Sequence, residues 1–557
     1  LTIKYKMFNQ DYIENIHGQL YFYRDLYLGN HMNIFERAQK LREEGEILEN
    51  MLNKSVDSEF SKSPYIIANV AKLIVDVPAM LVARSMGKID TSQPVDEEQN
   101  AAINQTTDAA IEGPNDNTES GVVANAQQEL IKNIVESSKL DACHRSNVIQ
   151  QQVDGGLVGV PWNDDRGLRI EFKGRDTYFP HEDGLGADIS ISRTIDNIVY
   201  LHVYRDRLYK AGDKAIEDED EWTAPADGLR TTHRLFLLGK GGVMTDEPIP
   251  FDEMAELLNM DVEDLEDFYE GRKTVFIRYW GNDETIMNPL GVSALYGQDA
   301  KQDEINWSLT RNAFVFERNG KPRIAINKEL ANAIQKNMID LYGEKGRGHF
   351  DSKKLEIFTM DDNGNSMEIF QIDITKIGDV QWVKDLTKLM LMETRTSEKA
   401  IDFYMDNGGG GAQSGIAKFY DLFISLMKAD QLLNEYLVFI KALIEDALWL
   451  AHEDDAAVVI EKPEIIVLDM LPLEKKEITD DNIAKFEAGV QSLETTVRNL
   501  NPDSSEEYIQ EEMLRLELAK VSSDSTSLGP GGAQTLESMM DNPNLRPPAA
   551  AADETTE

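Results

Sequence analysis

Four stretches of the chain carry residue types that could do chemistry. Cys143-His144 offers a thiol beside an imidazole, a pair used in zinc sites and by nucleophilic cysteines. His181-Glu182-Asp183 and His452-Glu453-Asp454-Asp455 offer nitrogen and carboxylate oxygen to a cation. Gly155-Gly156-Leu157-Val158-Gly159 has the glycine density of a loop that cradles phosphate. Each lacks its remaining parts. Cys143 is the sole cysteine, so no second thiol stands at ligand spacing and no intramolecular disulfide can form, which fits a reducing compartment. The glycine run has neither the Lys-Ser/Thr of a P-loop nor the acidic ribose contact of a dinucleotide fold, and it reads as a turn. The two His-acid runs read as solvated loop ends. The eight histidines are scattered and no nucleophile motif is present. The expectation is a protein without catalytic residues, cofactor or metal site.

The elements that would position such residues point elsewhere. Ile377, Val380, Val383, Leu386, Met390, Ile401 and Tyr404 fall at roughly helical intervals and predict an amphipathic rod over Ile377–Met405, about 43 Å long at 1.5 Å per residue. Asp406-Asn407-Gly408-Gly409-Gly410-Gly411-Ala412-Gln413 follows, where four consecutive glycines forfeit side-chain packing and carry the largest backbone entropy cost. Ser414 then reads as an N-cap. Ile416, Phe419, Tyr420, Phe423, Met427, Leu433, Tyr436, Ile440, Leu443 and Leu448 continue a second helix of about 58 Å, too apolar to stand alone.

The rest of the chain divides by pattern. Residues 8–60 read as helical with a break at Leu28-Gly29-Asn30, and Tyr65–Met86 as a helix interrupted by Pro78. Thr91–Gln128 has no lysine or arginine and almost no large apolar side chain, which predicts an acidic, mobile insertion. Within residues 145–280, strands are expected at Leu168–Phe172, Ile198–Tyr204, Thr232–Leu238 and Thr274–Trp280, with a short helix at Phe251–Leu258. A helix ends at Asn319-Gly320. Strands Arg323–Ile326, Leu355–Phe358 and Met367–Phe370 follow, with a helix at Glu329–Tyr342 and a locally basic loop carrying Lys345, Arg347, His349, Lys353 and Lys354. A strand at Pro463–Pro472 precedes short helices at Thr479–Gly489, Val490–Leu500 and Ser504–Val521, and Ser522–Glu557 has the composition of a disordered tail.

Composition bounds the function. The 557 residues suffice for three or four domains at about 150 residues each. One hundred acidic against 56 basic residues give a formal charge of -44, which argues against tight general binding of nucleic acid, because phosphate neutralisation needs Lys and Arg. The same charge suits solubility, life at high salt, or a wall that DNA slides past. No apolar run approaches the about 18 residues of a membrane span, and the first residues lack a signal peptide's apolar core, so a cytosolic origin is expected.

Three segments resemble the portal proteins of tailed double-stranded DNA bacteriophages. Ser414-Gly415-Ile416-Ala417-Lys418-Phe419, followed by Lys428-Ala429-Asp430, is similar to the start of that family's long helix after its tunnel loop. Asn288-Pro289-Leu290-Gly291-Val292-Ser293, leading through Gln302, Ile305 and Asn306 to Phe316–Pro322, resembles the other stem helix and its passage into the clip. Pro463–Pro472 resembles the strand before the crown helices. The likeness spans roughly residues 10–520 in order and spacing. It implies an α+β portal fold: N-terminal helical wing 1–90, acidic insertion 91–128, wing with β-layer 129–286, first stem helix 287–319, small α/β clip 320–372, second stem helix 373–405, tunnel loop 406–413, long kinked helix 414–456, strand and α-helical crown 457–521, and tail 522–557. It further implies a non-enzymatic, closed dodecameric ring at the capsid vertex of the virion, assembled in the host cytoplasm. Such a ring passes double-stranded DNA during packaging and ejection and docks the terminase, the major capsid and scaffolding proteins and a head-completion adaptor. On this likeness Asp406–Gln413 would line the channel and Lys345, Arg347, His349, Lys353 and Lys354 would lie in the adaptor-docking clip. The competing expectation is a non-viral acidic oligomeric scaffold whose long helices form a bundle.

Overall fold

The computed structural model describes residues 17–44, 47–48, 63–92, 117–164, 167–215, 222–239, 247–258, 265–319, 323–327, 356–360, 367–370, 380–399, 415–471, 482–486 and 488–501, with a few shorter pieces elsewhere. The chain mixes α and β and divides into two units, Leu1–Met470 and Leu471–Glu557. In the first unit the helices that matter here are α1 (Gly18–Leu28), α2 (Val70–Ser85), α3 (Asn117–Ser138), α4 (Leu140–Asp154), α5 (Asp299–Asn319), α6 (Val380–Glu393) and α7 (Gly415–Asp454). The second unit contains α8 (Leu493–Leu500), N-capped by Ser492, whose side chain accepts from the Thr495 N–H.

The strands are β1 (Met86–Asp90), β2 (Gly156–Asp164), β3 (Gly167–Gly174), β4 (Tyr178–Pro180), β5 (Gly186–Ile195), β6 (Ile198–Tyr209), β7 (Gly228–Leu237), β8 (Glu266–Glu270), β9 (Arg278–Gly281), β10 (Arg323–Asn327), β11 (Glu356–Met360), β12 (Met367–Phe370) and β13 (Glu464–Val467). An antiparallel five-stranded sheet runs β8-β7-β6-β5-β4, and a three-stranded one runs β9-β2-β3. Between α5 and α6 a small sheet runs β11-β10-β12, with β10 parallel to β11 and antiparallel to β12. β13 pairs antiparallel with β1.

The main core forms where α7 lies on the three-stranded sheet and on α2, α3 and α4. Ala429, Leu432, Leu433, Tyr436, Ile440, Leu443, Ile444 and Leu448 are buried there with Ile131, Ile134, Val148, Leu157 and Trp280. Glycine permits the approach: a Cβ on Gly159 of β2 would stand 2.5 Å from Leu443 Cδ1 and 3.0 Å from Phe439 Cζ. A second contact is polar. Gln302, Asn306 and Thr310 recur every four residues on one face of α5 and accept from the backbone N–H groups of Ala71 (3.1 Å), Ala68 (3.1 Å) and Ile66 (3.0 Å), holding the extended chain that enters α2.

Several expectations are corrected by this structure. The segment expected to be mobile through Gln128 becomes helical at Asn117, and Gln127 is buried, donating to Val459 O and accepting from Val459 N. The glycine run is a turn only at Gly155, whose φ of 76° ends α4; Gly156 to Gly159 belong to β2. Within residues 287–319, expected as one helical segment, the helix starts at Asp299, because residues 282–298 are held in turns such as Asn288 N to Thr285 O and Gln298 N to Leu295 O. The last expected β-layer strand shrinks to Arg278–Gly281, since the N–H groups of Phe276 and Ile277 donate to the Asp206 carboxylate rather than to a strand. The expected Phe251–Leu258 helix is present, and the long helix expected over 414–456 runs Gly415–Asp454. The tail 522–557 lies outside the described residues.

Candidate functional site

Neither stretch singled out as a site can be placed. Asp406, Asn407, Gly408, Gly409, Gly410, Gly411, Ala412 and Gln413 lie outside the described residues, as do Lys345, Arg347, His349, Lys353 and Lys354. What is described is the frame from which both depart.

The first part of that frame is a helical hairpin. Lys301 and Gln298, at the start of α5, donate to Glu393 Oε2 at the end of α6 at 2.7 and 3.0 Å, so the two helices meet antiparallel, with the β10–β12 sheet between them in sequence. Hydrogen bonding to Lys301 and Gln298 holds the Glu393 carboxyl below its ordinary range.

The second part is a joint. The expected rod to Met405 stops at Glu393: Arg395 takes a left-handed φ of 53°, and the Thr396 N–H returns to Leu391 O at 2.8 Å, a Schellman-type closure without glycine. Ser397 then docks on α7. Its N–H donates to Ser425 Oγ at 2.7 Å and its hydroxyl donates to Asp421 O at 2.5 Å.

Lys428 pins this joint to α2. Its Nζ donates to Thr394 O at 3.1 Å and stands 3.5 Å from Ile74 O. Ile74 O is four residues before Pro78, which has no N–H to close the helical bond, so that carbonyl needs another donor. Burial pulls the Lys428 ammonium down to about 8, against the attraction of Asp283. Beside it opens a cleft of about 210 Å³ whose lining includes Gln152, Asn282, Asp283, Glu393, Lys428 and Glu435.

The stretches that opened the sequence reading are absorbed by the fold. His181 Nε2 and Asp188 Oδ1 are 2.9 Å apart, and Arg205 binds the same carboxylate at 2.7 and 2.9 Å. Burial alone would raise Asp188, but bonds from Arg205 and His181 hold it below the ordinary range. Asp183 pairs with Arg207. His452 Nδ1 lies 2.7 Å from Val458 O, and His144 is buried against Tyr436. Among the described residues no group of three or more His, Cys, Asp or Glu side chains is placed to hold a metal ion, and no helix is long and apolar enough to cross a membrane.

The sequence reading missed Gln152, Ser397 and Ser425, and used Lys428 only as part of a resemblance. Pro78 inside an apolar helix was the one available signal that a donor must come from elsewhere. No protein-family model matches the chain, and no curated protein is significantly similar to it.

Proposed function

We propose that this chain is the subunit of a bacteriophage-type portal: a ring through which double-stranded DNA enters and leaves a capsid, docking a terminase and an adaptor and doing no chemistry itself. The observation that carries the reading is the α5–α6 hairpin with its small sheet between the helices, followed by the 40-residue α7. That order matches the stem, clip, stem and long helix that the resemblance implies. A chain of charge -44 repels its own copies, and apolar contact would offset that repulsion in a ring. Leu389 and Met392 on α6, and Ile424 and Met427 on α7, are exposed pairs one helical turn apart, suited to a head-to-tail interface that closes.

The test is native mass spectrometry with electron microscopy of the purified chain. Closed rings with an axial channel are expected, and Ile424→Glu combined with Met427→Glu should dissociate them while leaving helicity unchanged. A monodisperse monomer or dimer at micromolar concentration across salt conditions would refute the reading.

A further inference from the structure

The lining of the cleft beside Lys428 includes a buried residue with an acceptor that lacks a donor. Gln152 is fully buried, and its Nε2 donates to Gln151 Oε1 at 2.7 Å and Asn282 Oδ1 at 2.6 Å. Asn282 Nδ2 in turn donates to Val292 O at 2.7 Å, and Gln151 Nε2 to Gly281 O at 3.1 Å. This chain of amides fixes the orientation of each, since flipping Gln152 would set its oxygen against two other oxygens. Gln152 Oε1 is thereby left buried with no donor among the described residues.

The cationic groups nearby do not supply that donor. Lys428 is spent on the carbonyls of Thr394 and Ile74, and Lys301 on Glu393. Asp283 and Glu435 add carboxylates to the lining, and Glu435 receives only a long bond from Trp280 Nε1 (3.3 Å) and one from Gln431 Nε2 (3.1 Å). Arg395 stands exposed at the lining, and with Glu393 paired to Lys301 the carboxylates of Asp283 and Glu435 are the acidic groups left to the cleft.

We propose that this cleft binds a protonated primary amine, with Gln152 Oε1 and the carboxylates of Asp283 and Glu435 as its acceptors. An ammonium carries three donors and no acceptor, which suits oxygens contributed by three separate side chains; a planar guanidinium fork suits two oxygens of one carboxylate instead. The volume, about seven waters at roughly 30 Å³ each, admits an alkylammonium chain. The same chemistry has two sources, a free aliphatic amine or a lysine side chain of a second copy. The inference concerns the cleft alone and does not depend on the ring.

The experiment uses the full chain with n-butylammonium as probe, followed by saturation-transfer NMR, and butyltrimethylammonium as the control with the same charge and no N–H. Saturable binding of the first and at least tenfold weaker binding of the second are expected. Asp283→Asn should weaken n-butylammonium about tenfold, the worth of one charge-assisted bond. Asparagine tolerates the φ of 47° at this position, so the loop is kept. Asp252→Asn, an exposed acid on the Phe251–Leu258 helix, should change nothing. In a second arm, zero-length carbodiimide coupling and peptide mapping read the other source: Asp283 or Glu435 joined to a lysine of another copy identifies a side chain as the occupant. Equal binding of the two probes, equal loss in Asp252→Asn, or neither saturable binding nor a cross-link at Asp283 or Glu435 overturns the proposal.

Discussion

Acid should loosen the contact between α4 and α7, and His144 is the group through which it acts. The ring is 4% exposed, and burial lowers its pKa from 6.5 to about 4. Asn147 Nδ2 donates to the Tyr436 hydroxyl at 3.1 Å, and His144 Nδ1 lies 3.0 Å from the same oxygen. Protonation puts a charge in this buried site, beside the Trp280–Tyr436 pair, whose rings are 5.1 Å apart. A base whose folded pKa is depressed contributes stability that is whole above 6.5 and lost as pH falls toward 4, because the unfolded chain binds the proton first. At pH 5 the unfolded imidazole is 1.5 units below its pKa, which is about 2 kcal/mol from this residue alone. His144→Gln keeps an acceptor and removes the titration. Urea midpoints by circular dichroism at pH 7 and pH 5 should show the parent losing about 2 kcal/mol more than the variant between the two pH values. His31, His233 and Asp206 titrate alike in both proteins and cancel in the comparison. Parallel pH dependence would refute the assignment.

Asp446 is buried and binds Arg272 at 2.5 Å and Arg278 at 2.6 and 2.9 Å, so Asp446→Asn strands two guanidinium groups and should cost about 3–5 kcal/mol, read as a lowered urea midpoint at pH 7. Gly159→Val drives methyl groups into Leu443 and Phe439 and should cost about 1–3 kcal/mol by the same measurement; an unchanged midpoint would mean that α7 is not seated on β2.

What the sequence made legible is what burial writes in apolar residues. The second long helix was readable because Leu433, Tyr436, Ile440, Leu443 and Leu448 recur at helical spacing, and they are buried. The parts that escaped are packed by polar atoms or by the absence of a side chain. Asn117–Gln128 looks like an insertion because hydrophobic periodicity cannot register that Gln127 pairs with Val459 through both amide groups. Gln302, Asn306 and Thr310 are polar, yet each is fully buried on a backbone donor, which hydrophobic periodicity does not register. Gly156 and Gly159 look like a turn because glycine's commonest use is conformational. In β2 they serve closeness instead, to the Tyr279 ring and to Leu443. The early stop of α6 had no residue signal, since a left-handed Arg395 replaces the glycine that normally marks such an end.

These features together locate where the internally determined structure ends along α7. C-terminal to Lys428 the helix spends its apolar residues on its own chain: Ala429, Leu432, Leu433, Tyr436 and Ile440 are all in the main core. N-terminal to it, among the residues whose side chains are described, Ser425 and Leu426 are buried, and Ile424 and Met427 are 56% and 59% exposed. The change of regime coincides with the residue that ties α7 to the carbonyl orphaned by Pro78 and to the end of α6. It also coincides with the Ser397–Ser425 contact, which ties the chain leaving α6 to α7 just before Lys428.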